Sequence, residues 1–245
     1  EAVSVMGSFN DWSDEANPLS AEENGYWAAD VPTARPGDQY KYVLLTGQGR
    51  LERLDPYARR VTNSVGNSVV HDRSFDWSQD DFQMPPWNEL VIYEMHVGTF
   101  QAQPGIGGGT LETATEKFPY LQELGINAIQ LMPVMEVPGG ISWGYNPALP
   151  FAVESDWGGP DALKRFVHAA HRHGMAVILD VVYNHFGPSD LALWQFDGWR
   201  ENDLGGIYFY NDGRAHTPWG ETRPNYGSDP VRQYIRDNAL MWLEE

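Results

Sequence analysis

The hydrophobic period of this chain changes once, across the polar, proline-rich stretch from Ser78 to Trp87 that contains Met84-Pro85-Pro86. Before it, apolar residues come in short runs divided by turn residues. Val3-Ser4-Val5-Met6-Gly7 leads into Asn10-Asp11-Trp12-Ser13-Asp14, Gly25 to Val31 alternates, and Tyr40 to Leu45 is a compact apolar run ended by Thr46-Gly47. Ser68-Val69-Val70-His71 is a last short strand. Strands at this spacing, with no helical period between them, predict an all-β, immunoglobulin-like sandwich over residues 1–77. Residues 78–87 then read as a linker.

From residue 88 onward strands and helices alternate. Leu90 to Val97 is an apolar strand, and Thr110 to Leu124 is an amphipathic helix with Leu111, Ala114, Phe118, Leu121 and Leu124 on one face, stopped by Gly125. Ile126 to Pro133 is a second strand, and Pro160 to His173 a second helix, stopped by Gly174. Met175 to Val182 is a third strand, apolar on both faces as in a parallel sheet. A long loop, Tyr183 to Asp229, leads to a third helix from Pro230 to Glu245. Strand then helix, three times over, predicts a parallel α/β layer across residues 88–245, with its polar site on the loops that follow the strands.

Charge narrows the ligand classes. Sixteen Lys plus Arg face 34 Asp plus Glu, a formal net charge of −18, which repels phosphate backbones and anionic lipid. Neither nucleic acid nor a membrane is an expected partner, and no window approaches the roughly 18 uninterrupted apolar residues of a membrane span. The first thirty residues lack a charged-then-apolar signal pattern. There is no Cys, which removes disulfides, thiolate catalysis and zinc–sulfur sites while leaving the redox compartment open. Ten Trp and 12 Tyr over this acidic background suit a neutral, hydroxyl-rich ligand, with core packing as the plainer use of aromatics.

The sharpest chemical signal is Asp180-Val181-Val182-Tyr183-Asn184-His185 at the C-terminal end of the third strand. A carboxylate and an imidazole there lose hydration and need partners, which a polyol supplies. Alternatively Asp180 caps or pairs internally and His185 only packs. Other signals are set aside. His168, His171 and His173 are offset so that all three do not share a helix face, and they read as a solvated helix end with no metal. Gly105-Ile106-Gly107-Gly108-Gly109-Thr110 lacks the Lys-Ser/Thr of a phosphate loop and reads as a link between strand and helix. His96 points into the active-site mouth or sits in the barrel core, the core being favoured, and Asp80-Asp81 and Glu244-Glu245 are assigned to solvated faces. Tyr208-Phe209-Tyr210, Trp219 and Tyr226 either line outer subsites or form a small core of their own.

Five separated motifs, in order, carry a resemblance. Asp180 to His185 resembles the first conserved region of the α-amylase superfamily of glycoside hydrolases and transglycosylases, and Gly125 to Pro133 resembles its second-strand signature. Trp143-Gly144-Tyr145-Asn146-Pro147 resembles the loop whose Tyr stacks on the sugar at the cleavage subsite. Tyr93 to Phe100 is similar to the first barrel strand of branching enzymes and trehalose-releasing trehalohydrolases, and Gly7-Ser8-Phe9-Asn10-Asp11-Trp12 to the opening of the glycogen-binding module that precedes their barrel. The resemblance implies a (β/α)8 barrel of TIM type, of which residues 88–245 hold the first three β/α units.

Carried over residue by residue, it implies that Tyr145 is the stacking platform, that His185 hydrogen-bonds a sugar hydroxyl, and that Asp180 supports the site by holding an arginine of the next strand. Asn184 matches a calcium-binding position of true amylases. Branching enzymes generally lack that site, so no cofactor is expected and calcium is not favoured. Trp12 and Lys41 match glucan contacts of the N-terminal module, but Gly49-Arg50 stand where its second tryptophan is expected. The implied reaction is retaining cleavage or transfer at α-1,4-glucosidic bonds, with two carboxyls about 5–5.5 Å apart. The family places its nucleophile, acid and stabiliser after barrel strands four, five and seven, so none is expected in this chain. Residues 88–245 also fall well short of the roughly 250 of a closed barrel. The expectation is therefore a cytoplasmic, branching-type α-glucan enzyme present as its N-terminal portion and inactive alone, its partners being glycogen, starch or maltooligosaccharide and the missing C-terminal part. Trehalohydrolase, debranching enzyme and amylase are alternatives, as is a non-catalytic glycan-binding protein.

Overall fold

A computed structural model describes residues 1–102 and 108–245; the glycine-rich segment discussed above lies partly outside the described residues. The N-terminal strands are β1 (Ala2–Gly7), β2 (Ser20–Ala21), β3 (Trp27–Ala28), β4 (Gln39–Thr46), β5 (Gly49–Arg53), β6 (Arg60–Val61) and β7 (Ser68–Val69). They form an antiparallel sheet in the order β1–β4–β7–β6, with β5 paired to β4, and a separate hairpin β2–β3. Asn17 to Leu19 pairs along the outer edge of β1, where Leu19 N–H donates to the Val3 carbonyl at 2.8 Å. The alternation expected from Gly25 to Val31 shrinks to two strand residues, and β5 was not foreseen because Gly-Arg-Leu-Glu-Arg carries a single apolar residue.

The remaining elements are β8 (Ile92–Met95), α1 (Val97–Phe100), α2 (Leu111–Thr115), α3 (Phe118–Glu123), β9 (Ala128–Leu131), β10 (Met135–Glu136), β11 (Leu149–Val153), α4 (Gly159–Arg172), β12 (Ala176–Leu179) and α5 (Asp229–Glu244). The helix expected over 110–124 is two helices. Pro119 has no N–H for the Thr115 carbonyl and its ring crowds that carbonyl, so the chain breaks at Glu116-Lys117 and restarts with Pro in the first turn.

β8, β9 and β12 make a parallel sheet in the order β12–β9–β8, with Glu94 beside Gln130 and Gln130 beside Ile178. Side-chain alternation gives this sheet two unlike faces. Tyr93, Met95, Ile129, Leu131, Val177 and Leu179 pack against Leu111, Phe118, Leu121, Phe166 and Ala170 of the helices in one core. The opposite face carries Ile92, which is 47% exposed, then Glu94, Gln130 and Ile178. Asp180 follows two residues after Ile178 and continues the ladder through its N–H to the Leu131 carbonyl at 3.1 Å.

The long loop and α5 close a second core, in which Phe151, Phe186, Leu193, Phe209 and Tyr234 are almost fully buried. Phe209 and Tyr208 therefore belong to packing, whereas Trp219 remains 59% exposed. The same region meets the N-terminal sheet. The Tyr234 hydroxyl donates to the Pro56 carbonyl at 2.9 Å, and Arg53 Nε donates to the Phe196 carbonyl at 2.7 Å. No helix among the described residues is long and apolar enough to cross a membrane.

Three acidic or histidine clusters differ from expectation. His171 Nδ1 lies 2.7 Å from Asp80 Oδ2, and its ring stacks on Phe82 at 4.3 Å. His168 faces the same carboxylate at 3.7 Å, so neither this helix end nor Asp80 is a solvated surface. Glu245 pairs with Arg59 at 2.8 Å, the two side chains being about four-fifths buried. In each case a distant segment folds over a charge that looks free in sequence.

Candidate functional site

The loop between β10 and β11 carries Tyr145 to the open end of the parallel sheet. Its path needs a glycine at 144, where φ is 94° and a Cβ would collide with the Pro133 carbonyl oxygen. The Tyr145 hydroxyl then donates to Asp180 Oδ2 at 2.8 Å. Loss of hydration and the neighbouring Asp180 carboxylate push the phenol up to about 12, so it remains a donor throughout the physiological range. Its ring is 38% exposed, leaving part of its surface open to a ligand.

His185 sits five residues beyond Asp180 and is 4% exposed. Trp219, from the far end of the long loop, lies parallel to its ring with centroids 4.8 Å apart and planes 13° apart. The Nδ1 of His185 is 3.0 Å from Asn184 Oδ1. Burial lowers its pKa, and the Tyr145 backbone carbonyl facing the ring offsets part of that, so a neutral imidazole is favoured. The sequence offered Trp219 only as one of several loop aromatics; its stacking on His185 spans a separation that no local period reveals.

His96, for which the core is the favoured of two readings, is half-buried beside this loop. Its Nδ1 is 3.0 Å from Thr99 Oγ1 and its Nε2 is 2.8 Å from the Ser142 carbonyl oxygen, with Trp157 edge-on at 5.3 Å. The ring tethers the loop that bears Trp143 and Tyr145. Ser142 Oγ also accepts from Gly144 N–H at 3.0 Å and donates to Asn146. Exposed Trp143 stands beside Tyr145 as a second aromatic of the same loop.

Asn184, which matches a calcium-binding position of true amylases in the resemblance, turns its side-chain oxygen to His185 Nδ1 at 3.0 Å. Among the described residues no group of three His, Asp or Glu side chains is arranged to hold a metal.

On the N-terminal module, Trp12 occupies a left-handed turn with φ of 59°, its N–H donating to the Gly7 carbonyl at 2.9 Å, and its side chain is 39% exposed. Lys41 lies on β4 opposite Met6 of β1 and makes no hydrogen bond or ion pair among the described residues. Gly49 and Arg50 form the start of β5, and Arg50 binds Asp14 at 3.0 Å and Glu52 at 2.6 Å. An ion-paired guanidinium thus stands where a second aromatic platform is expected.

The family model described as α-amylase, catalytic domain, matches residues 57–244. The chain belongs to the α-amylase family. A second model, carbohydrate-binding module 48 (isoamylase N-terminal domain), matches residues 1–58. This α-amylase-family chain is 36% identical to a malto-oligosyltrehalose trehalohydrolase of Saccharolobus solfataricus over 93% of its own length and 38% of that protein. It is 35% identical to a 1,4-alpha-glucan branching enzyme of Pseudoalteromonas atlantica over its whole length and 35% of that protein. A crystal structure of an α-amylase-like protein from Salmonella typhimurium superposes with a TM-score of 0.82 at 35% identity, over 99% of this chain and 38% of that one. The chain thus spans little more than a third of the length of these relatives.

Proposed function

We propose that this chain is the N-terminal portion of an α-glucan-active enzyme that cleaves or transfers α-1,4-glucosidic bonds with retention, of branching type, its substrates being glycogen, starch or maltooligosaccharide. The observation that carries the reading is the bond from the Tyr145 hydroxyl to Asp180, which joins the family's sugar-stacking loop to its first conserved region. In this reading Tyr145 is the stacking platform, His185 a neutral partner for a sugar hydroxyl, and Asp180 a support for an arginine that a following strand supplies. Trp12 and Lys41 are the glucan contacts of the N-terminal module. No cofactor is invoked, and a cytoplasmic setting belongs to the same reading.

The division is 1–77 for an immunoglobulin-like β-sandwich, 78–87 for a linker and 88–245 for the first three β/α units of a (β/α)8 barrel. It is supported by the end of the N-terminal sheet at Val69 and the start of the parallel sheet at Ile92. The exposed Ile92, with Glu94 and Gln130 on the same face, is what a barrel interior looks like with its remaining strands in the C-terminal part, which is the chain's principal partner. The family's nucleophile and acid lie in that part, so the 245-residue chain alone has no glucosidic activity. Incubation of the chain with amylose, followed by assay of reducing ends and branch points, gives no product; turnover by the chain alone overturns this assignment.

A further inference from the structure

Two buried carboxyls close the base of the Tyr145 loop, and the reaction outlined above uses neither. Glu136 ends β10 and Glu154 follows β11; each is 1% exposed. Their hydrogen bonds are reciprocal. Glu154 Oε2 accepts the Val137 N–H at 2.9 Å, just beyond Glu136, while Glu136 Oε2 accepts the Ser155 N–H at 2.7 Å, just beyond Glu154. Glu136 Oε1 also faces the Ser155 hydroxyl at 3.2 Å, and Glu154 Oε1 accepts the Asp156 N–H at 3.2 Å. The hairpin they close has a register shift between Met135 and Glu136, so ladder bonds alone do not fix its geometry.

Among the described residues neither carboxyl forms an ion pair; Glu154 and Asp156 act on Glu136, and Asp156 acts on Glu154. Met135, Val134, Val153 and Trp157 around them are nearly fully buried. Lost hydration and the Glu154 carboxylate both disfavour ionisation of Glu136, whose Oε1 has the Ser155 hydroxyl as its neighbour. Burial and then Glu154 push Glu136 up to about 8, and burial raises Glu154 as well.

We propose that Glu136 and Glu154 are positioning residues, buried carboxyls whose reciprocal backbone hydrogen bonds hold the 137–147 loop and with it Tyr145 over Asp180, and that ionisation of Glu136 loosens this loop. The consequence for substrate rests on the proposed role of Tyr145; the clamp itself does not, and the two are read separately.

The test uses the 245-residue chain with 5-fluorotryptophan incorporated, followed by ¹⁹F NMR from pH 6 to 9.5. Exposed Trp143 reports on the loop, its resonance assigned through Trp143→Phe, and Trp12 serves as a remote control. In the parent the Trp143 resonance shifts with a midpoint near that of Glu136, about 8, while Trp12 does not follow. Because His96 binds the same loop, the effect is read as a difference between parent and variant. Glu136→Gln, which keeps an acceptor for Ser155, abolishes the step, and Glu154→Gln moves its midpoint down by removing the neighbouring charge. A Trp143 resonance that does not titrate near this pH, or one that titrates alike in the parent and in folded Glu136→Gln and Glu154→Gln, overturns the proposal. Maltoheptaose affinity is measured in parallel. A clamp step without any change in affinity leaves the clamp standing and removes Tyr145 from the glucan site.

Discussion

The Tyr145 hydroxyl reaches Asp180 at 2.8 Å across thirty-five residues of sequence, tying the loop after β10 to the end of β12. It fixes the Tyr145 ring at the open end of the parallel sheet. Tyr145→Ala removes both the aromatic face and the bond, terms worth about 0.5–1.5 and 1.5–3 kcal/mol. With the proposed glucan activity in the full-length protein, this lowers kcat/KM on amylose by roughly 30-fold or more, with Tyr145→Phe falling between parent and Ala because the face survives. Steady-state kinetics of the two variants measures the split.

Trp219 shields His185 from water, and that cover keeps the imidazole neutral. Trp219→Ala restores hydration of the charged form, so the His185 midpoint rises toward the ordinary value of about 6.5. A ¹H NMR titration of the ring Cε1–H detects the upward move; an unchanged or lower midpoint contradicts this account of the stack.

Asn238 of α5 satisfies two distant groups and one on its own helix while almost fully buried. It donates to the Pro150 carbonyl at 2.9 Å and accepts from the Tyr183 hydroxyl at 2.9 Å and the Trp242 indole at 3.1 Å. Asn238→Leu leaves all three unpaired at about 1–3 kcal/mol each before relaxation, so urea unfolding shows a loss of about 2–4 kcal/mol.

The stability of the parent also depends on pH through Glu136. Its carboxyl titrates near 4.5 when unfolded and at about 8 when folded. The folded state is thus favoured below the lower value, and this contribution is lost as pH rises toward the upper one, with a limiting slope of about 1.4 kcal/mol per pH unit. Glu136→Gln lacks the slope. Urea midpoints of parent and variant compared between pH 5 and 8.5 diverge against the parent; parallel curves refute the sign.

Trp12 offers one aromatic face where Arg50 is occupied by Asp14 and Glu52. Trp12→Ala weakens retention on glycogen–agarose by about 3- to 10-fold, the worth of a single stacking contact. Equal retention assigns Trp12 to the turn alone.

Much of the element order was legible because each piece is decided within a few residues. β1 and β4 follow from alternation and a compact apolar run, β9 and β12 from short runs stopped by loop residues, and α4 from its apolar stripe ending at Gly174. β5 was not, since its side chains are mostly charged and its strand state comes from pairing with β4. The helix over 110–124 failed at Pro119, where the apolar stripe outweighed a local breaker. His171 and Asp80 looked solvated because their partnership spans ninety-one residues.

The sequence by itself determined the family and the candidates Tyr145, Asp180 and His185, because motif order and hydrophobic period are properties of neighbouring residues. Tertiary structure alone decided that Tyr145 bonds Asp180, that Trp219 covers His185, and that Glu136 and Glu154 each accept the backbone N–H of the residue that follows the other. Those relationships depend on which distant groups share a desolvated space, and burial, which sets the strength and protonation of each, exists only once the chain has closed around them.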